Sequence, residues 1–172
     1  MIISKREVVF RFYLMNPSGE SHLREISRRT GVSLPWVRKA ILEFARQGLV
    51  SVRRQGSLVL VKASRDNPRF RDLKRCANLL SLYESGLVEF LVERFARPEA
   101  IVLFGSFSKG DDVETSDIDI AIFTGRGEIP ETAAFSRKLG REVRIKLLPR
   151  RKMEPEFYAS LINGIVLYGF LR

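Results

Sequence analysis

The sequence predicts an α+β protein in two parts, and three observations lead to this fold class. Three amphipathic helical segments and a β-hairpin pattern fill the first third of the chain. A later stretch combines buried strands with short helices, which predicts a small α/β domain. The charge is also divided: residues 1–75 of the 172 carry 17 Lys and Arg against 6 Asp and Glu, whereas residues 76–172 carry 13 against 14. We therefore predict a basic domain over 1–66, a linking helix or helix pair over 67–98, and a near-neutral domain over 99–172.

The three helices of the first domain are predicted over residues 4–15, 21–30 and 33–47. A serine stands first in each and is a good N-cap, because its hydroxyl accepts a hydrogen bond from a free backbone N–H. Pro35 suits the first turn of the third helix, where its missing N–H is not needed. The residues of that helix predicted to pack inward are Val37, Ile41, Leu42 and Phe44. Strands over 49–54 and 57–61 then flank Gln55-Gly56, a hairpin signal.

Three helices followed by a hairpin is a pattern similar to the winged helix-turn-helix family, and the resemblance covers about residues 4–63. In that family the third helix lies in the DNA major groove and the hairpin contacts the backbone. The resemblance implies DNA binding by the N-terminal domain, with Arg side chains meeting phosphates. The implied contact residues are Arg28, Arg29, Ser33, Trp36, Arg38, Lys39, Arg53 and Arg54. A winged helix used only for protein contact, with these cations solvated, is the alternative.

The cysteine content and the lengths of the apolar runs indicate in which compartment the protein is expected. The single Cys76 excludes an internal disulfide bond and is compatible with a reducing cytoplasm. Apolar runs all fall short of the roughly 20 residues that span a bilayer, so we expect a cytoplasmic protein without a membrane partner. A long helix is predicted from about Phe70, with a break at Gly86. One hypothesis for this helix is that it pairs with the same helix of a second copy in a homodimer.

The second domain contains the stretch with the clearest chemistry. Ile101 to Phe104 form an apolar run typical of a buried strand, and Gly105-Ser106 ends it in a short polar turn. Such a turn leaves backbone N–H groups free for phosphate oxygens, and the Ser106 hydroxyl adds a donor. Gly105, Ser106 and Lys109 are therefore our candidate phosphate-binding residues.

Two aspartates follow on a second strand. Asp117 and Asp119 fall on one face, and Ile118, Ile120 and Ile122 fall on the other. Two carboxylates beside a phosphate-binding turn form a Mg²⁺ site that substrate phosphates complete. An Asp-x-Asp on the solvent face of a strand is also common without any function, but the upstream Gly-Ser turn favours the metal site.

This combination resembles the nucleotidyltransferases related to DNA polymerase β. The resemblance rests on Gly105-Ser106, a ten-residue gap, and Asp117-Ile118-Asp119, and it is strongest with the minimal nucleotidyltransferases of prokaryotes and archaea. It implies a small domain with a mixed sheet, Mg²⁺ or Mn²⁺ on the two catalytic aspartates, and an NTP, with ATP as our expectation. Minimal nucleotidyltransferases often resemble antitoxins that transfer AMP to a HEPN-type toxin, which implies a protein partner. A DNA-binding domain on such a protein would fit regulation of its own operon.

The chain departs from the family at one position. Active members use a third carboxylate from a later strand, and the strand predicted over 142–148 places Arg144 there. A guanidinium neither ligates Mg²⁺ nor acts as a base near neutral pH. Glu142 lies on the same strand face two residues before Arg144, and is the candidate substitute for the missing carboxylate. That shift displaces its carboxylate by roughly 6–7 Å, which argues against the substitution. Two hypotheses remain: a nucleotidyltransferase, or a transcriptional regulator whose degenerate domain binds a nucleotide or only dimerises.

The last elements are predicted as a helix over 131–139, a helix over 155–162 and a buried strand over 164–169.

Overall fold

The computed structural model describes residues 4–56, 58–125, 127–148, 159 and 161–171. The chain divides into two compact units, Met1–Lys74 and Arg75–Arg172. The elements of the first unit are α1 (Lys5–Met15), β1 (Glu20–His22), α2 (Leu23–Thr30), α3 (Leu34–Arg46), β2 (Val50–Gln55) and β3 (Leu58–Ala63). Helix α4 (Pro68–Ser85) contains the boundary between the units. The elements of the second are α5 (Leu87–Arg94), β4 (Ala100–Phe104), α6 (Gly105–Lys109), β5 (Ile118–Phe123), α7 (Ala133–Leu139), β6 (Val143–Leu148) and β7 (Ile165–Gly169).

The helices of the first unit begin and end largely where their capping residues predict. A capping box starts α1: the Ser4 hydroxyl accepts from the Glu7 N–H at 3.2 Å, and the Glu7 carboxylate accepts from the Ser4 N–H at 2.7 Å. Gly31 ends α2 in the left-handed conformation. Ser33 is at the N-cap of α3, as predicted, although its side chain makes no capping hydrogen bond.

Two sequence predictions in this unit are wrong. The N-cap of α2 is His22, whose Nδ1 accepts from the Glu25 N–H at 3.1 Å, and Ser21 lies in β1. Leu42 is 55% exposed and does not pack inward. The buried residues of α3 include Val37 and Ile41, and Leu42 lies about 100° around the helix from Ile41.

The sheet of the first unit contains the predicted hairpin and one further strand. Strands β2 and β3 pair antiparallel with Gln55 opposite Leu58, so Gln55 belongs to β2 and not, as predicted, to the turn. Strand β1 pairs with the other edge of β3 and gives the order β1-β3-β2.

The second unit is built on a four-stranded mixed sheet, as the sequence predicts. Its order is β6-β5-β4-β7, and only β5 and β6 run parallel. Strand β4 is buried along its whole length, and β5 buries all its apolar residues. These central strands form two cores, one on each face of the sheet.

Glycines separate or end helices of this unit, and one lysine caps the carbonyl end of α4. Gly86, left-handed at φ +81°, separates α4 from α5 as predicted, and Gly140 ends α7 in the same conformation. Lys138 donates to the carbonyls of Glu84 and Ser85 at 3.1 and 2.9 Å, and thereby satisfies two free acceptors at the end of α4.

The last strand corrects a prediction. Strand β7 lies at an edge of the sheet, and Val166 on it is 43% exposed, so the strand is only partly buried. The helix predicted over 155–162 falls mostly outside the described residues. Among the helices that the structure describes, none is long and apolar enough to cross a membrane.

Candidate functional site

Gly105, where β4 runs into α6, is in close contact with Asp119. Register pairs Phe104 of β4 with Asp119 of β5, so the aspartate lies beside this turn. The backbone of Gly105 has φ +74°, and a Cβ placed on it would lie 2.6 Å from Oδ2 of Asp119. Glycine is therefore required twice over, by the left-handed conformation and by the approach of the carboxylate.

The side chain of Asp119 lies among other charged groups. Asp119 is half-buried, and the carboxylate of Asp117 and the cations Lys146 and Arg144 are close enough to affect its charge. Burial, and then the neighbouring Asp117 charge, raise the pKa of Asp119, while Lys146 and Arg144 act in the opposite direction. A half-buried carboxylate beside a second one is stabilised by any cation that reaches both.

The other predicted phosphate ligands line the same turn. Ser106 is partly buried, and its hydroxyl makes no hydrogen bond with any described residue. Its carbonyl accepts from the Gly110 and Asp111 N–H groups, which closes α6. The Ser108 hydroxyl donates instead to the Gly105 carbonyl at 2.8 Å, and Lys109 extends into solvent.

Arg144 occupies the position opposite the aspartates. The parallel register of β5 and β6 pairs it with Asp119. Its guanidinium lies 2.7 Å from Oδ2 of Asp117 and 3.3 Å from Oε2 of Glu142. The hydrogen bond that Arg144 donates to Glu142, and then the Asp117 charge, raise the pKa of Arg144, so the group is cationic at any physiological pH. Glu142 is exposed and directed at Arg144.

These residues fit one divalent cation. Mg²⁺ is bound by one or two carboxylates together with substrate phosphates, and Asp117 and Asp119 supply that set. In the described part of the chain, no three or more His, Cys, Asp or Glu residues cluster so that they could hold a metal ion. Arg144, which already pairs with Asp117, is the residue that the strand register places opposite Asp119.

A buried polar network supports the loop that leads to the aspartates, and sequence reasoning missed it. Asp112 accepts from the Asn78 amide at 2.7 Å and pairs with Arg141 at 3.2 Å, and both charged side chains are at most 3% exposed. Asn78 also donates to the Phe107 carbonyl at 2.9 Å, and Arg141 donates to that of Val113. The one signal in the sequence is a polar Asn78 on the apolar face of α4.

The residues predicted to contact DNA are all exposed on the surface of the first unit. Two of them, Arg29 and Arg53, also form ion pairs within the unit. Trp36 is 45% exposed, and the ammonium groups of Lys5 and Lys39 lie 5.3 and 5.2 Å from its ring centre. Arg38 is exposed, as are Arg28, Ser33 and Arg54.

Two of the predicted phosphate contacts are already engaged within the unit. Arg53 pairs with Glu20 through two hydrogen bonds of 2.6 and 2.7 Å. Arg29 lies 3.8 Å from Glu25, donates to Asn16 and stacks over Phe12.

Comparison with known proteins bears on the second unit. No curated protein matches the chain. Residues 87–169 match the family model described as "Polymerase beta, Nucleotidyltransferase". That segment contains β4, α6, β5 and β6, and hence Gly105, both aspartates and Arg144. The match supports the nucleotidyltransferase superfamily for this part of the chain.

Proposed function

We propose that the second unit is a nucleotidyltransferase domain that binds an NTP, ATP in the first instance, together with Mg²⁺ or Mn²⁺. The observation that carries this proposal is the Asp119 carboxylate: it is half-buried, lies beside the Asp117 carboxylate, and is in close contact with a left-handed glycine turn. Burial and the Asp117 charge both disfavour the ionised form of Asp119. A divalent cation bound by both aspartates would compensate these two charges.

In this proposal, the two aspartates bind the metal and the residues of the Gly105 turn and α6 bind the nucleotide phosphates. Asp117 and Asp119 would hold the metal, which would supply positive charge that neutralises the phosphates. The Gly105 turn, the Ser106 hydroxyl and the Lys109 ammonium bind phosphate oxygens. An acceptor hydroxyl then attacks the α-phosphorus in line, the bond to the bridging oxygen breaks, and pyrophosphate leaves with that electron pair. The hydroxyl proton is released to solvent.

The acceptor in this proposal is a hydroxyl on a protein or a small molecule. The resemblance to antitoxin-type minimal nucleotidyltransferases points to a HEPN-type toxin as the protein that receives AMP. We propose that the first unit is a winged helix-turn-helix domain through which the protein binds DNA at its own operon. The exposed Arg38, with Lys39 and Lys5 around Trp36, supports this part of the proposal.

Arg144 favours a second candidate function. Its ion pair with Asp117 occupies the carboxylate that a metal requires, and it stands where a third carboxylate would be needed. The second candidate is therefore a transcriptional regulator that binds a nucleotide, or only dimerises, and transfers nothing.

One labelling experiment separates these functions. The protein is incubated with α-labelled ATP, Mg²⁺ or Mn²⁺ and a lysate of the source cells, beside the variant Asp117→Asn/Asp119→Asn. Label on a macromolecule that the double variant fails to transfer establishes the enzyme. Stabilisation of the wild type by Mg-ATP without any label supports the regulator. Absence of both effects overturns the nucleotide site altogether.

A further inference from the structure

Two Arg–Asp ion pairs among the described residues of the second unit differ in burial. The pair between Arg141 and Asp112 is enclosed, with side-chain exposures of 3% and 0%. The pair between Arg144 and Asp117 lies at the site, with exposures of 55% and 25%. Breaking an enclosed pair leaves an uncompensated charge inside the protein, whereas an exposed pair opens at little cost. Of these two pairs, the one at the site can therefore exchange partners and the enclosed one cannot.

The surroundings of Arg144 also offer it two alternative positions. Its guanidinium bridges Asp117 and Glu142, at 2.7 and 3.3 Å. If a divalent cation takes Asp117, Glu142 still holds one edge of the guanidinium. The other edge is then released on the strand neighbouring Asp119, with which the register pairs Arg144, and the phosphates of the proposed nucleotide would lie near this carboxylate. A guanidinium binds phosphate oxygens in a bidentate manner, so the released edge has a suitable new partner.

The geometry points to Arg144 as an exchangeable counter-ion: it neutralises Asp117 in the free protein and moves to the nucleotide phosphates when a divalent cation arrives. This inference rests on the proposed nucleotide site. It assigns to Arg144 a positioning and binding role in place of the missing carboxylate. It also implies that the free protein resists divalent cations until a nucleotide is present to accept the guanidinium.

The exchange predicts effects of opposite sign for Arg144→Gln. Without a nucleotide, affinity for Mn²⁺ should rise roughly two- to fivefold, because an exposed ion pair no longer competes for Asp117. With EDTA present, affinity for metal-free ATP should fall by about tenfold, because a charge-assisted contact to phosphate is lost. A residue that merely stabilises the fold would move both affinities in the same direction or neither.

The test measures free Mn²⁺ by electron paramagnetic resonance and ATP binding by calorimetry on the full chain. Arg137→Gln is the matched control, since Arg137 is an exposed cation on α7 outside the site. Arg144→Lys keeps the charge and should leave Mn²⁺ affinity near the wild-type value. Melting temperatures check that every variant folds.

Each outcome decides the inference. Higher Mn²⁺ affinity with weaker ATP binding in Arg144→Gln supports it. Unchanged Mn²⁺ affinity, or the same change in Arg137→Gln, overturns it even if Mg-ATP binds the wild type normally. If the wild type binds no ATP with or without metal, the proposed nucleotide site fails, and the role of Arg144 toward phosphate fails with it. The Mn²⁺ measurement then still decides whether Arg144 competes for Asp117.

Discussion

Replacing Gly105 with alanine tests the contact that positions Asp119. A Cβ at this position would lie 2.6 Å from Oδ2 of Asp119, whereas ordinary contacts begin at 3.4 Å, so the carboxylate must retreat by about 0.8 Å. The left-handed backbone adds roughly 1–2 kcal/mol for a non-glycine residue, and an off-rotamer aspartate about 1 kcal/mol more. We expect Gly105→Ala to lower the free energy of unfolding by about 2–3 kcal/mol.

Gly140→Ala is the matched control for the backbone cost. Gly140 has a similar φ of +67°, and a Cβ there would meet nothing within 4 Å. This variant should therefore lose only about 1–2 kcal/mol. The difference between the two variants isolates the contact with Asp119.

The two variants should differ more in Mg-ATP affinity than in stability. A displaced metal ligand weakens metal or nucleotide binding by roughly 10–100-fold, so Gly105→Ala should lose Mg-ATP affinity on that scale. Gly140→Ala should bind as the wild type does, in calorimetry at a temperature where both variants are folded. Wild-type affinity in Gly105→Ala, or an equal loss in Gly140→Ala, would refute the positioning role of this turn.

Three further variants test other parts of the structure. Asp112→Asn should lower the free energy of unfolding by about 3–5 kcal/mol, because it leaves the Arg141 charge buried; a loss under 1 kcal/mol in a denaturant titration would contradict this. Tyr13→Phe should stabilise the first unit at pH 7, since the buried hydroxyl lacks a hydrogen bond among the described residues. Burial raises the pKa of Tyr13, so only the unfolded state ionises just above about pH 10; wild-type melting temperature should fall there more steeply than that of Tyr13→Phe, and parallel curves would refute this. Arg38→Ala should weaken DNA binding and reduce its salt dependence, and a binding curve indifferent to salt would remove DNA from the proposed function.

The parts of the fold that local sequence determines could be predicted from it. The capping box at Ser4, the glycine that ends α2 and the alternation in β5 each depend on residues close in the chain. The resemblance to the nucleotidyltransferases singled out Arg144, and the parallel register of β5 and β6 pairs it with Asp119.

The features that the sequence did not predict depend on distant partners. Strand β1 has three residues and exists because β3 offers it an edge, and this pairing moves the start of α2 from Ser21 to His22. The exposure of β7 follows from its place at an edge of the sheet, which no run of apolar residues reveals.

The buried network has the same origin. Residues 78, 112 and 141 come from three separate segments, and the charges of Asp112 and Arg141 compensate each other only once the unit is folded. Because each residue appears alone in the sequence, the polar Asn78 on the apolar face of α4 is the one signal.

The most direct test of the nucleotide site is the melting temperature of the second unit with and without Mg-ATP. A ligand at 100 times its dissociation constant stabilises the folded state by about 2.7 kcal/mol. We predict an upward shift for the wild type that grows with Mg-ATP concentration and is lost in Asp117→Asn/Asp119→Asn. An unshifted wild type, or an equal shift in the double variant, would contradict a nucleotide site on these two aspartates.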